Sequence, residues 1–389
     1  MIGYHKKSLC KLLDQIKLAS RDPFSNTKLW SSIQLIILKK IISLENKIRE
    51  INDEIKNLNI KRKNPTNRLT KDESIEVKAK IKNFENKIES IRFVIDTYRS
   101  LGDAIAFTFI NKFDIKPQNF KQSAGFISKK DGLKKELEMF REIYKHGDIA
   151  IINDITSVLK YCDITLVHRD GFIPIEVKSS DVINSRIIRQ NENANKIFNY
   201  LETDITENLY NRPGVTQRVE ITIPEKNYST VINELIKHSE IHQNALKEVE
   251  HGLSYYVSRK FENSFMEENF KNLKKPIITS LNQHKFSGQG YYPFSLSISE
   301  SEDYYDFLSG KYIIFIIIDL EKYEKHYYQK GYKFSDSDNI EFGFQIEPLK
   351  ENSPFKMIKL SNHYFLRTAM EFVSLRSIID DTINQIGRT

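Results

Sequence analysis

Asp163, Glu176 and Lys178 are the residues of this chain whose types and spacing best suit chemistry. They belong to the stretch Tyr161–Lys178, which reads as two short strands joined by a turn at Asp170-Gly171. Side chains alternate between the faces of a strand, so Glu176 and Lys178 share one face and Val177 points the other way, towards a core. With an even number of residues in the turn, Asp163 falls on the face of that pair, across the ladder. Two carboxylates and an ammonium then converge at the end of a hairpin. A magnesium ion is commonly held by one or two carboxylates and several waters, and it supplies an activated water and charge relief for cutting a phosphodiester. Asp163 and Glu176 are therefore candidate ligands, with the carbonyl of Val177 as a third, neutral one. Lys178 is the candidate for orienting the attacking water or steadying the phosphorus. Magnesium is the expected cofactor, with manganese as a substitute.

The tripeptide alone carries little weight in so lysine-rich a chain. Glu76-Val-Lys78 repeats it, but there Val77 is a core position of a helical repeat and its neighbours are solvated flanks. The copy at 176–178 follows an apolar Phe-Ile-Pro-Ile run and a turn, and is preceded by a suitably spaced aspartate. The bland alternative is a surface ion-pair cluster on an ordinary hairpin.

The flanking segments give this hairpin a setting. Gly132–His146 is an amphipathic helix with Leu133, Leu137, Phe140 and Tyr144 on one face, and Glu136 borders that face. Strands are expected at 148–153, 162–168 and 172–178, a helix at 183–201, and a further strand at 216–223 closed by Pro224. The later helix turns Ile183, Ile187, Ala194, Phe198 and Leu201 inward. Gln190 falls at the edge of that stripe, with Arg186 a turn earlier. A polar group there can bond a carboxylate ligand or a substrate phosphate.

Asp163, then Glu176-Val-Lys178, on a helix, three strands, helix, strand order, resembles the PD-(D/E)XK nuclease superfamily. The Arg-Ile-Ile-Arg-Gln190 run resembles the downstream Gln or Arg element of many members. The resemblance covers residues 130–225. It implies a restriction-endonuclease-like core, a metal-dependent endonuclease acting on DNA, and a context in restriction or anti-phage defence. It implies Asp163 and Glu176 as ligands, Lys178 at the attacking water, Gln190 beside them, and Arg186 and Arg189 on nucleic acid. Many members add an acidic residue from the first core helix; Glu136 is the candidate here, with Glu138 and Asp103 behind it. The chain departs from the family name in carrying Cys162 where proline would stand.

The remaining sequence frames this core. Apolar residues at Ile37, Ile41, Leu44, Ile48, Ile51, Ile55 and Leu58 form a heptad seam, and Val77, Ile81, Phe84, Ile88, Ile91, Ile95 and Tyr98 form another. A helix-breaking stretch over 61–68 separates them, and Thr70 with Glu73 makes a capping box. An antiparallel helical hairpin with arms of roughly 30 Å is expected, continuing into a short buried helix at 99–107. Its basic tip, Lys61, Arg62 and Lys63 with Arg68 and Lys71, could grip a phosphate backbone, although such tips are usually just solvated. Beyond Pro224 a helix is expected at 231–249, strands at 312–318 and 340–346, and a helix at 364–386. The overall expectation is a mixed α+β or α/β chain in three parts: a helical region at 1–98, the nuclease-like core at 99–226, and a C-terminal α+β region at 227–389.

Composition excludes some classes. The 389 residues carry a formal charge of +7, which permits a polyanionic partner without demanding one. The two cysteines, Cys10 and Cys162, are too few for a disulfide framework or a cysteine-ligated zinc site, and fit a reducing cytoplasm. No apolar run is long enough to span a bilayer, and the N-terminus has no signal-peptide core. DNA is the expected partner, RNA remains open, and the hairpin could serve a homodimer or a partner protein. His238 and His242 lie one helical turn apart but lack a clear third ligand unless His251 serves. Ser287–Phe294 mixes glycines with aromatics, as a base-stacking loop or as a turn with core aromatics. The rival reading is a non-catalytic nucleic-acid-binding or scaffolding protein with a vestigial core.

Overall fold

The computed structural model describes residues 2–63, 69–119, 125–177, 185–286, 290–337, 343–351, 353 and 355–387, the side chains of 185–191, 193 and 211 excepted. The chain is α+β and divides into two compact units, Met1–Val215 and Thr216–Thr389. The first unit therefore contains the expected helical hairpin and residues 99–215 of the segment expected to form the core, while 216–226 belong to the second.

In the first unit, α1 (Lys6–Ala19), α2 (Thr27–Lys63) and α3 (Lys71–Phe109) pack together. The heptad seams place α2 against α3, and Thr70 forms the capping box with Glu73 that starts α3. The arms hold 37 and 39 residues, or about 55 Å each, longer than the seams alone suggested. The segment 99–107 is not a separate helix but the buried end of α3. Along α2, Ile37, Ile41, Leu44 and Ile48 are fully buried, while Ile55 and Leu58 are half-buried nearer the tip. Val77 lies half-buried on α3 between exposed Glu76 and Lys78.

After α4 (Lys112–Gln118) and α5 (Leu133–Lys145) come β1 (Ile149–Ile152), β2 (Ile164–His168) and β3 (Gly171–Ile175). They form an antiparallel sheet in the order β1-β2-β3. The outer edge of β1 is closed by a side chain rather than a strand. Gln34 of α2, fully buried, donates to the carbonyl of Ala150 at 2.8 Å and accepts the N–H of Ile152 at 2.9 Å. Its amide thus takes the place of a neighbouring peptide and removes the cost of an unpaired edge. Pro174, which cannot donate, sits on β3 at the other edge.

Next along the chain is α6 (Ser185–Thr203), burying Ala194, Ile197 and Tyr200 with partly buried Phe198 and Leu201 against Tyr161 and Leu209. β4 (Ile205–Glu207) and β5 (Val215–Gln217) pair with each other. The strand expected over 216–223 is therefore not a fourth core strand. Thr222 and Ile223 direct their N–H groups to the carboxylate of Asp381, which satisfies that backbone without a strand partner.

In the second unit, α7 (Ser229–His242) leads into a sheet ordered β6-β7-β9-β8, built from β6 (Asn244–Glu250), β7 (Leu253–Ser258), β8 (Pro276–Ser280) and β9 (Ile313–Asp319). α8 (Asn263–Phe270), α9 (Phe294–Ser297) and α10 (Ser301–Ser309) fall between its strands. α11 (Leu320–Gln329) precedes a small antiparallel sheet of β10 (Tyr332–Asp336), β11 (Phe344–Pro348) and β12 (Ile358–Leu360). α12 (His363–Glu371) and α13 (Leu375–Ile386) end the chain. The helix expected over 231–249 stops at His242 because Gln243 adopts a left-handed φ of +64°, and residues 244–250 pair with β7 instead. The helix expected over 364–386 breaks likewise at Phe372, φ +55°. Among the described residues no helix is long and apolar enough to cross a membrane.

Candidate active site

Two elements bring acidic groups to the start of the central strand. Glu136 lies on the inner face of α5 and is only 3% exposed, more buried than its neighbour Leu137. Asp163 immediately precedes β2. The turn between β2 and β3 is Arg169-Asp170, two residues, as the shared face required. A ladder continued by one step would set Asp163 opposite Glu176. Instead the N–H of Asp163 bonds the carbonyl of Ile175, the residue already opposite Ile164. The register shifts there, in the manner of a bulge at a strand end.

The cause sits one residue earlier. Cys162 adopts a left-handed φ of +63°, a conformation costly for a residue with a Cβ. A proline, locked near −65°, could not occupy it. The shift turns the carboxylate of Asp163 across the strand end, where Oδ2 accepts the N–H of Val177 at 2.8 Å. Asp163 and Val177 are together, and Glu176, between β3 and Val177, is exposed. Lys178 lies outside the described residues. Arg186, Arg189 and Gln190 lie on α6, and their side chains are outside the described ones. Lys61, Arg62 and Lys63 form the last turn of α2.

Lys130 stands in the middle of the site. Its ammonium bonds Asp163 at 2.7 Å, Asp154 at 2.8 Å and Glu136 at 3.0 Å. Neither Lys130 nor Asp154 was expected. Lys129-Lys130-Asp131 looks like any solvated charged run, and Asn153-Asp154 like an ordinary turn. Contacts distant in sequence place them. The N–H of Ser128 bonds buried Glu45 of α2 at 2.9 Å, and Arg49 bonds the Ser128 hydroxyl. The turn after β1 is held by Asn153, whose side chain donates to Tyr161 and accepts from Thr165. It is also held by Asp103 of α3, which accepts the N–H and hydroxyl of Ser157. Gly102 lets α3 approach this turn, since a Cβ there would lie 2.2 Å from the carbonyl oxygen of Ile155.

The charges do not balance. Three carboxylates face one ammonium. Burial, and then the charge of Asp163, push the Glu136 carboxyl up to about 7, with Lys130 opposing. Burial works against the Lys130 charge, but Asp154 and Asp163 outweigh it and hold the ammonium well above the usual lysine range. Glu136 Oε2 is buried and meets no hydrogen-bond donor among the described residues. Donors that are all carboxylate oxygens suit a hard divalent cation. As the residues stand, with the ammonium between them, no described group of three His, Cys, Asp or Glu side chains is arranged to hold a metal.

The other candidates have structural surroundings. Asp103 is buried, which pushes its carboxyl up to about 6, and it serves Ser157 rather than the cluster. Glu138 is exposed beside Lys134. His238 and His242 stack with ring centres 4.3 Å apart on α7, and His251 lies against Glu248. In the aromatic segment, residues 287–289 are outside the described ones. Tyr291 bonds His363 at 2.7 Å and Phe294 is buried, so the described part is a core turn rather than a stacking loop.

No protein-family model, no curated protein and no solved structure matches this chain.

Proposed function

We propose that the chain is a metal-dependent endonuclease that hydrolyses DNA phosphodiesters at the Glu136–Asp163 site. The observation that carries the reading is the convergence of Glu136 and Asp163, two acids from separate elements, the first a candidate through the family resemblance and the second through its spacing from Glu176, with Asp163 also holding the Val177 N–H. Glu136, Asp163 and Glu176 are the oxygen donors for magnesium or manganese. A divalent ion bound there would lower the pKa of its water and offset charge at the phosphorus. Asp163 also fixes the exit of β3 through the Val177 N–H. In this reading Lys178 orients the attacking water, Gln190 bonds a carboxylate or phosphate, and Arg186, Arg189 and the Lys61–Lys63 tip contact the nucleic-acid backbone. A restriction or anti-phage setting in the cytoplasm fits this reading.

The test is plasmid cleavage with Mg²⁺ by the parent, Asp163→Asn and Lys178→Ala proteins, with single-stranded DNA and RNA in parallel. The parent cuts duplex DNA and both variants lose the activity. Variants that cut as well as the parent would show the assignment to be wrong, and cleavage confined to RNA would change the substrate.

One observation favours the rival, a non-catalytic binding or scaffolding protein. Both oxygens of Asp163 already have partners, Lys130 and Val177. A vestigial site of that kind takes up no Mn²⁺.

A further inference from the structure

We propose that Lys130 is an internal counter-ion that competes with a divalent cation for Glu136, Asp154 and Asp163, so that loading the site requires the ammonium to leave. The inference rests on the metal-dependent reading above and deepens it by naming what holds the site shut.

Three features of the geometry support it. First, Lys130 does not merely line the cluster; it bridges all three carboxylates from one point, at 2.7–3.0 Å. A second cation placed among the same oxygens would meet the ammonium at close range in a partly buried setting, where like charges repel strongly. Second, the cluster keeps an excess of acceptors. Glu136 is 3% exposed and aimed at Lys130 through Oε1, yet its Oε2 is buried without a donor among the described residues. Such an atom costs free energy unless a cation or proton meets it. Third, the carboxylates and the ammonium differ in attachment. Glu136 is on a helix, Asp163 at a strand end and Asp154 in a turn tied down by Asn153 and Asp103. Lys130 reaches them on a long side chain that is 30% exposed, from the end of a short helical turn. The acids stay while the lysine has room to swing out. Asp154 becomes a ligand on this view, a role that motif spacing does not assign.

Competition has a measurable form. A site that is competent only when Lys130 is out binds a cation with its intrinsic affinity reduced by the competent fraction. Replacing Lys130 with an uncharged side chain of similar length removes that reduction.

The experiment uses the full chain and Mn²⁺ alone. Binding is measured by calorimetry for the parent, Lys130→Met and Asp154→Asn. Pulse acetylation followed by peptide mass analysis compares Lys130 with exposed Lys129 in the parent, with and without saturating Mn²⁺. The expected results are at least about tenfold tighter Mn²⁺ binding in Lys130→Met and weaker binding in Asp154→Asn. In the parent, acetylation of Lys130 rises several-fold with Mn²⁺ while that of Lys129 does not change. Mn²⁺ binding with Lys130 still protected overturns the proposal, as does failure of both parent and Lys130→Met to bind. The acetylation arm uses the parent alone, so it decides the matter even if Lys130→Met folds poorly. A chain that cuts plasmid while Lys130 stays protected keeps the nuclease reading and loses this one. A chain that releases Lys130 to Mn²⁺ but cuts nothing does the reverse.

Discussion

Two carboxylate centres, one in each unit, use acids in opposite ways. In the second unit Glu250, at the end of β6, accepts from the hydroxyls of Tyr228 at 3.0 Å and Tyr323 at 2.8 Å, from the Ser374 hydroxyl, and from the Arg376 N–H at 3.2 Å. One acid meets four donors from the start of α7, α11 and the start of α13, and none of those donors is an ion-pairing side chain. In the first unit three acids meet one ammonium and leave Glu136 Oε2 without a donor among the described residues. A carboxylate saturated with neutral donors ties elements together. A cluster with more acceptors than donors costs stability and is kept where a cation or proton is to be exchanged.

The contrast can be broken most decisively at Asp163. Asp163→Asn should lower plasmid cleavage on the order of a thousandfold, about 4 kcal/mol of barrier. It should change unfolding free energy by less than about 1 kcal/mol, since neutralising one of three crowded acids removes repulsion along with an ion pair. Equal losses of stability and activity would make the cluster another structural tie. Glu250→Ala should do the opposite, costing about 3 kcal/mol in denaturant melts because several donors, including two buried tyrosine hydroxyls, lose their acceptor together. Cleavage under conditions where the variant stays folded should not change.

The next largest effect is in pH. The Glu136 carboxyl is raised from 4.5 to about 7 in the folded chain. Between those values the folded state keeps a proton that the unfolded chain has released, so this group's contribution to stability falls as pH rises through the window and is lost above it. Glu136→Gln should match the parent near pH 4 and exceed it by on the order of 2 kcal/mol near pH 8. Parallel stability profiles for the two proteins would remove the charge imbalance from the account. The smallest effect sharpens the other centre. Ser374→Ala removes one donor to Glu250 and the cap that accepts the Ser377 N–H on α13. It should cost about 1 kcal/mol, a fraction of the Glu250→Ala loss, if the remaining donors hold.

The residue pattern by itself determined the helical hairpin, its capping box, the three short strands with a tight turn one residue later than the observed Arg169-Asp170, and the place of Glu136 at the border of an apolar helix face. Each of these depends on local periodicity or on a few adjacent residues. It did not determine the register shift at Asp163, which arises from the left-handed backbone of Cys162. Nor did it determine that residues 244–250 pair with β7, because their alanine, leucine, lysine and glutamate favour a helix until a strand partner is present. Tertiary structure alone decided that Lys130 and Asp154 join Glu136 and Asp163. Glu45 and Arg49 hold the turn before Lys130, and Asp103 with Gly102 holds the turn after β1, across separations of more than fifty residues. A charged side chain in a polar run is solvated by default, and only packing distant in sequence withdraws it from water and sets it against its counter-charges.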